Sequence, residues 1–138
     1  MLSKAIAGLL FLISGNVLAD QFPAEIIEYF NDIKVVVYVN ESDIEKAPAW
    51  NPTKGAPPLT IGMLIKDVQE WNSRDPNLAS MQIHEIELKP IRKHEKQDRW
   101  YYLVHLTGPE SAHSGRQYLA VLMDGKIVPA IREPASFK

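Results

Sequence analysis

Apolar and polar positions along the chain change period several times, and each change marks an element. From Phe22 to Phe30, the residues Phe22, Ile26, Ile27 and Phe30 share one helical stripe with Pro23 in the first turn, which predicts a short helix. Ile33 to Val39 is rich in β-branched residues with Ile33, Val35, Val37 and Val39 on one face, which predicts a strand. Pro48, Pro52, Gly55, Pro57 and Pro58 then prevent any long helix or ladder strand, so Asn40 to Pro58 reads as a loop crossing the surface. Thr60 is placed to cap a helix running to Asn72, in which Ile61, Leu64, Ile65, Val68 and Trp71 recur at three- and four-residue spacing.

The remainder reads as strands: Met81 to Ile91, Trp100 to Leu106, Gln117 to Met123 and Lys126 to Ile131. Asp124-Gly125 predicts a two-residue connection and a tight hairpin between the last two, because Gly125 readily takes positive φ. One main helix followed by antiparallel strands defines an α+β fold, with the helix packed on one face of a sheet of about four to five strands. In the hairpin of residues 83–106, pairing Glu85 opposite His105 sets Ile86 and Leu88 beside Tyr102, Val104 and Leu106, a better apolar face than the register opposing His84 to His105. That register is expected to turn Glu85, Glu87, Tyr101 and His105 towards solvent as a polar, aromatic face.

Residues 1–19 have the three parts of a cleavable secretory signal. Lys4 supplies the cation, Ala5 to Ile13 an apolar run too short to span a hydrocarbon core of roughly 20 residues, and Val17-Leu18-Ala19 the small side chains of a cleavage site. Residues 20–138 are then a single soluble domain with no membrane anchor, expected in the periplasm or the extracellular space. The chain has 138 residues and no cysteine, so neither lipidation at a thiol nor a disulfide contributes. Its formal charge of −2 becomes slightly more negative when Lys4 is removed, which suits neither nucleic acid nor a polybasic membrane contact.

The helix Leu59-Thr60-Ile61-Gly62-Met63-Leu64-Ile65, the segments Ile83 to Leu88 and Asp98 to Val104, and Tyr118 to Val128 with its Asp124-Gly125 turn together resemble the PepSY family of small exported domains over about residues 59–131. A general cystatin-like helix-on-sheet fold explains the same order. The PepSY resemblance implies an extracytoplasmic, non-enzymatic role, such as modulation of a protease or another exported protein, and brings no functional residues with it.

Candidate chemistry is sparse. Ser111, His113 and Ser114 lack a nucleophile elbow and read as a polar connection. Glu41, Asp43 and Glu45 alternate without the frame of a calcium loop, and the four histidines lie in no metal motif. Asn40-Glu41-Ser42 is formally a glycosylation sequon. Arg92 to Arg99 reads as a solvated hairpin tip, or as a basic turn for an acidic partner. Trp50, between Pro48 and Pro52, is expected to be exposed and to anchor a partner. The expectation is a binding module without cofactor or metal, using Trp50, Glu85, Tyr101 and His105 to recognise a protein or peptide. The alternative is a small-ligand or metal-binding protein, or an enzyme, with a site between helix and sheet around His105, Glu85 and Tyr101.

Overall fold

The computed structural model describes residues 23–30, 33–108 and 116–134; residues 1–19, expected as an export signal, Phe22 and the Ser111, His113 and Ser114 group lie outside them. The fold is α+β with two antiparallel sheets rather than one. Ala24–Phe30 (β1) and Ile33–Val39 (β2) form the first sheet with Ile131–Pro134 (β7), in the order β1-β2-β7. Gln82–Pro90 (β3), Trp100–Thr107 (β4), Arg116–Leu122 (β5) and Ile127–Pro129 (β6) form the second in sequence order. A short helix, Glu41–Lys46 (α1), follows β2, and the main helix, Ile61–Ser73 (α2), precedes β3.

The expected helix at residues 22–30 is corrected to a strand over its described part. The spacing of Ile26, Ile27 and Phe30 fits both periods. Pairing decides between them, because β1 aligns all seven of its residues with β2, from Ala24 opposite Val39 to Phe30 opposite Ile33. Glu28 interrupts the inward face of Ala24, Ile26 and Phe30, and Lys89 neutralises it with Nζ 2.5 Å from its carboxylate.

α2 forms where its stripe predicts. The Thr60 side chain accepts the Met63 N–H at 3.2 Å and satisfies one of the four otherwise unpaired donors of the first turn. Leu64 and Val68 are fully buried against the sheet, each burial stabilising by roughly 1.5–3 kcal/mol. They pack in one core with Tyr102, Val104 and Leu106 of β4 and Leu119 and Val121 of β5, joined by Ile83 and Ile86 of β3. Ile83 and Ile86 are three residues apart and can share a face only because the β3–β4 register shifts between Ile83 and Glu85. Beyond this bulge, Glu85 faces His105, Ile86 faces Val104 and Leu88 faces Tyr102, the expected register.

The other face of that sheet is not solvated. Tyr101, Leu103, Tyr118, Ala120 and Leu122 meet Ile26, Val35, Val37 and Val39 of the first sheet in a second core. The domain is therefore three layers, α2 on β3-β4-β5-β6 on β1-β2-β7, and β4 is buried on both faces from Tyr101 to Leu106.

Two connections also differ from expectation. Met123-Asp124-Gly125 makes the last hairpin turn, with Gly125 N–H donating to Leu122 C=O at 2.9 Å and Gly125 at φ 91°, the form of a three-residue loop ending in a left-handed residue. The single strand expected from Lys126 to Ile131 divides at Ala130, whose N–H donates to Tyr118 C=O at 2.9 Å before the chain passes into the first sheet as β7.

Candidate functional site

The sequence-predicted site residues are not brought together on a surface. Trp50 is 5% exposed, so the expectation of an exposed anchor is corrected. Its segment is docked rather than free. The Trp50 N–H donates to Asp98 C=O at 2.9 Å, Asn51 Nδ2 donates to the Asp98 carboxylate at 3.1 Å, and Lys54 reaches the same carboxylate at 3.1 Å. These contacts, the Asn51 hydrogen bond first, hold the Asp98 carboxyl below its usual range. Arg99 donates to Ala47 C=O, and the Trp50 ring meets Trp100 edge-on at 6.1 Å. Residues 92–99 are thus a tip clasped by residues 41–54, not a wholly solvated one, and the Asn40 to Pro58 stretch contains α1 and a buried Ile44 rather than only surface loop.

Tyr101 and His105 are likewise corrected from solvent to the space between the sheets, 1% and 9% exposed. Burial, and next the Glu28 carboxylate beside it, push the Tyr101 phenol well above its ordinary value. The His105 ring lies edge-on to Phe30 at 4.9 Å and to Tyr118 at 4.8 Å, while Phe30 and Tyr118 stack at 4.6 Å. His105 Nε2 stands 3.1 Å from the Glu87 carboxylate, which can only accept, and Nδ1 is 3.7 Å from that of Glu85. Glu85 alone of the four predicted residues has a well-exposed side chain, at 52%. This cluster fastens β1 to β4 and β5; it faces away from α2, so a site between helix and sheet cannot be built from it. Among the described residues no three His, Asp or Glu side chains gather to hold a metal ion.

What the sequence did not show is the open side of the sandwich. At one side the chain itself joins the sheets through Ala130. At the other, the edges β1 and β3 are joined by side chains: Lys89 binds Glu28, and the Tyr101 hydroxyl lies 3.5 Å from the same carboxylate. Two cavities flank β1 here. One, of about 440 Å³, is lined by Ala24, Glu25, Ile27, Glu41, Arg92 and His94; the other, of about 260 Å³, by Ile27, Glu28, Lys89, Arg92, Glu95 and Tyr101. His94 Nε2 lies 2.8 Å from the Glu41 carboxylate. Burial opposes charge on this ring, but hydrogen bonds to Arg92 C=O and to Glu41 outweigh it and raise the His94 pKa. Arg92 borders both cavities and makes no ion pair among the described residues.

The four sheet edges are unequal. β3 carries a bulge, Lys89 and Pro90; β6 is three residues long and ends at Pro129; β7 ends in Arg132-Glu133-Pro134. Bulges, lysines, prolines, short length and inward-pointing charges are devices that discourage strand addition, and over its seven regularly paired residues β1 carries only the last, Glu28, which Lys89 neutralises. Since Phe30 and Ile33 pair as direct neighbours of a two-residue connection, they form a hydrogen-bonded pair, and alternation turns the N–H and C=O groups of Glu25, Ile27 and Tyr29 to the edge that no described strand pairs.

These features define a three-layer α+β arrangement in which β1 forms a sheet edge, beside a partly charged groove, that no further described strand pairs. Comparison with known family models, with curated proteins and with solved structures gave no match.

Proposed function

We propose that this chain is an exported binding module that takes up an extended protein or peptide segment along the edge of β1. The observation that carries the reading is the inequality of the edges: among the described residues β1 is the regularly paired edge without bulge, lysine or proline, its inward Glu28 is neutralised by Lys89, and two cavities sharing Ile27 and Arg92 lie along it. In strand addition the main chain supplies affinity and such grooves supply specificity. Export to the periplasm or extracellular space rests on the sequence of residues 1–19. The resemblance of residues 59–131 to PepSY domains, with its implied modulation of a protease or envelope protein, fits the same role, which is binding rather than catalysis.

The test is selection of linear peptides from a displayed library by the purified chain, followed by hydrogen exchange on the complex. Bound peptides are expected to slow exchange at Glu25, Ile27 and Tyr29, and Ile27→Pro, which deletes one edge donor and leaves the β1–β2 ladder intact, abolishes binding. Peptides that protect residues elsewhere and bind the I27P chain equally well would refute the reading.

A further inference from the structure

We infer that the strand completing this edge is β1 of a second copy, paired antiparallel about a twofold axis through Ile27. The inference rests on the reading that β1 accepts a strand and adds the identity of that strand.

Side chains of an antiparallel pair keep to their faces only if the facing residue numbers sum to an even value, so a twofold axis must pass through a residue. An axis at Glu25 or Glu28 sets a carboxylate directly against its own copy, which is unfavourable. One at Ile26 leaves Tyr29 and Phe30 without partners. The axis at Ile27 pairs every residue of β1: Ala24 with Phe30, Glu25 with Tyr29, Ile26 with Glu28, and Ile27 with itself. It also places Glu25, Ile27 and Tyr29, whose backbone groups face the edge, in the hydrogen-bonded pairs.

The outer face of the first sheet gives an independent argument. Ile27 lies opposite Val36, and Val36 opposite Ile131, so one apolar row already crosses three strands. The axis at Ile27 continues that row through the second copy, Ile131-Val36-Ile27-Ile27-Val36-Ile131, across a six-stranded sheet. On this face Tyr29, Tyr38 and Ile131 are 65%, 40% and 53% exposed, while Val36 at the centre of the row is only 1% exposed; pairing at the β1 edge bears on Tyr29 and leaves Ile131, two strands away, as it is. Pairing sets Tyr29 beside Glu25 of the second copy, with Tyr38 of that copy next in the row. Glu28, which Lys89 already holds within its own chain, arrives from the second copy opposite Ile26, on the cavity that Arg92 lines without an ion-pair partner among the described residues.

Sedimentation of the purified chain decides the matter. The chain is expected at twice the monomer mass, the I27K and I27E chains each at the monomer mass with unchanged far-ultraviolet circular dichroism, and their equal mixture again at twice it, since lysine then faces glutamate across the axis. A monomer at high concentration, or an I27K chain that still dimerises, overturns the second-copy assignment. A synthetic peptide of the sequence Ala24 to Phe30 separates the two failures. If the chain is monomeric yet this peptide slows exchange at β1, the edge is receptive and only its occupant is wrong; if neither pairs, the edge reading falls too.

Discussion

Truncating Tyr101 tests the layer that sequence reasoning missed. The ring is 1% exposed, packed between β4 and the first sheet, and its hydroxyl lies 3.5 Å from Glu28. Removing a buried aromatic ring to alanine costs about 3–5 kcal/mol through lost transfer energy and the cavity left behind. Tyr101→Phe keeps the ring and loses one weak hydrogen bond, about 0.5–1.5 kcal/mol. With a urea m-value of about 2 kcal/mol/M, Tyr101→Ala should lower the unfolding midpoint by about 1.5–2.5 M and Tyr101→Phe by less than about 0.8 M. Equilibrium urea melts followed by tryptophan fluorescence and by circular dichroism read both. If Tyr101→Ala shifts stability by no more than about 0.5 kcal/mol, the scale of a surface change, the face of β4 bearing Tyr101 and Leu103 is not covered by β1-β2-β7 and the three-layer description is wrong.

Two further outcomes follow from local chemistry. His94 has its pKa raised in the folded chain above the ordinary 6.5, so its contact with Glu41 contributes stability in full below about pH 6.5 and loses it as pH rises through the folded value. The stability difference between the natural chain and Glu41→Gln should therefore be larger near pH 6 than near pH 8.5, and an equal difference at both would deny the charged pair. Gly125 sits at φ 91° with space for a Cβ only 3.2 Å from the Asp67 carboxylate, so Gly125→Ala should cost about 1–2 kcal/mol in the same melts; a neutral effect would mean that the turn relaxes.

How much of this was readable in the chain depends on how local the cause is. α2 was readable because cap and stripe lie within a few residues of each other, and the β3–β4 register because one apolar face had to be kept. β1 was not, since the partner that makes Glu28 acceptable on an inward face is Lys89, 61 residues away. Trp50 sits between prolines that suggest exposure, yet it is carried inward by Asp98, whose side chain bonds Asn51 47 residues distant. One signal was present and points to the second sheet. Tyr101 to Leu106 and Tyr118 to Met123 are nearly unbroken apolar runs with little alternation, the mark of strands buried on both faces. Reading β4 as alternating put Tyr101 and His105 in solvent. The edge site is a property of topology, because whether a strand ends a sheet is fixed by which strands lie beside it.

The position of β2 in the middle of its sheet has a consequence for the order in which the chain can be assembled. Its neighbour on one side, β1, precedes it directly, but on the other Val36 pairs with Ile131, from the last described strand. Contacts of such long sequence separation carry a large loop-closure cost and form late. The helix and the β3-β4-β5-β6 meander can gather from neighbouring segments, while the β1–β2 hairpin waits, its valines uncovered, until the end of the fold reaches it. Completion of the domain is thus tied to the arrival of β7, the last described strand, so a chain released only as far as β6 would leave β2 without one of its two neighbours.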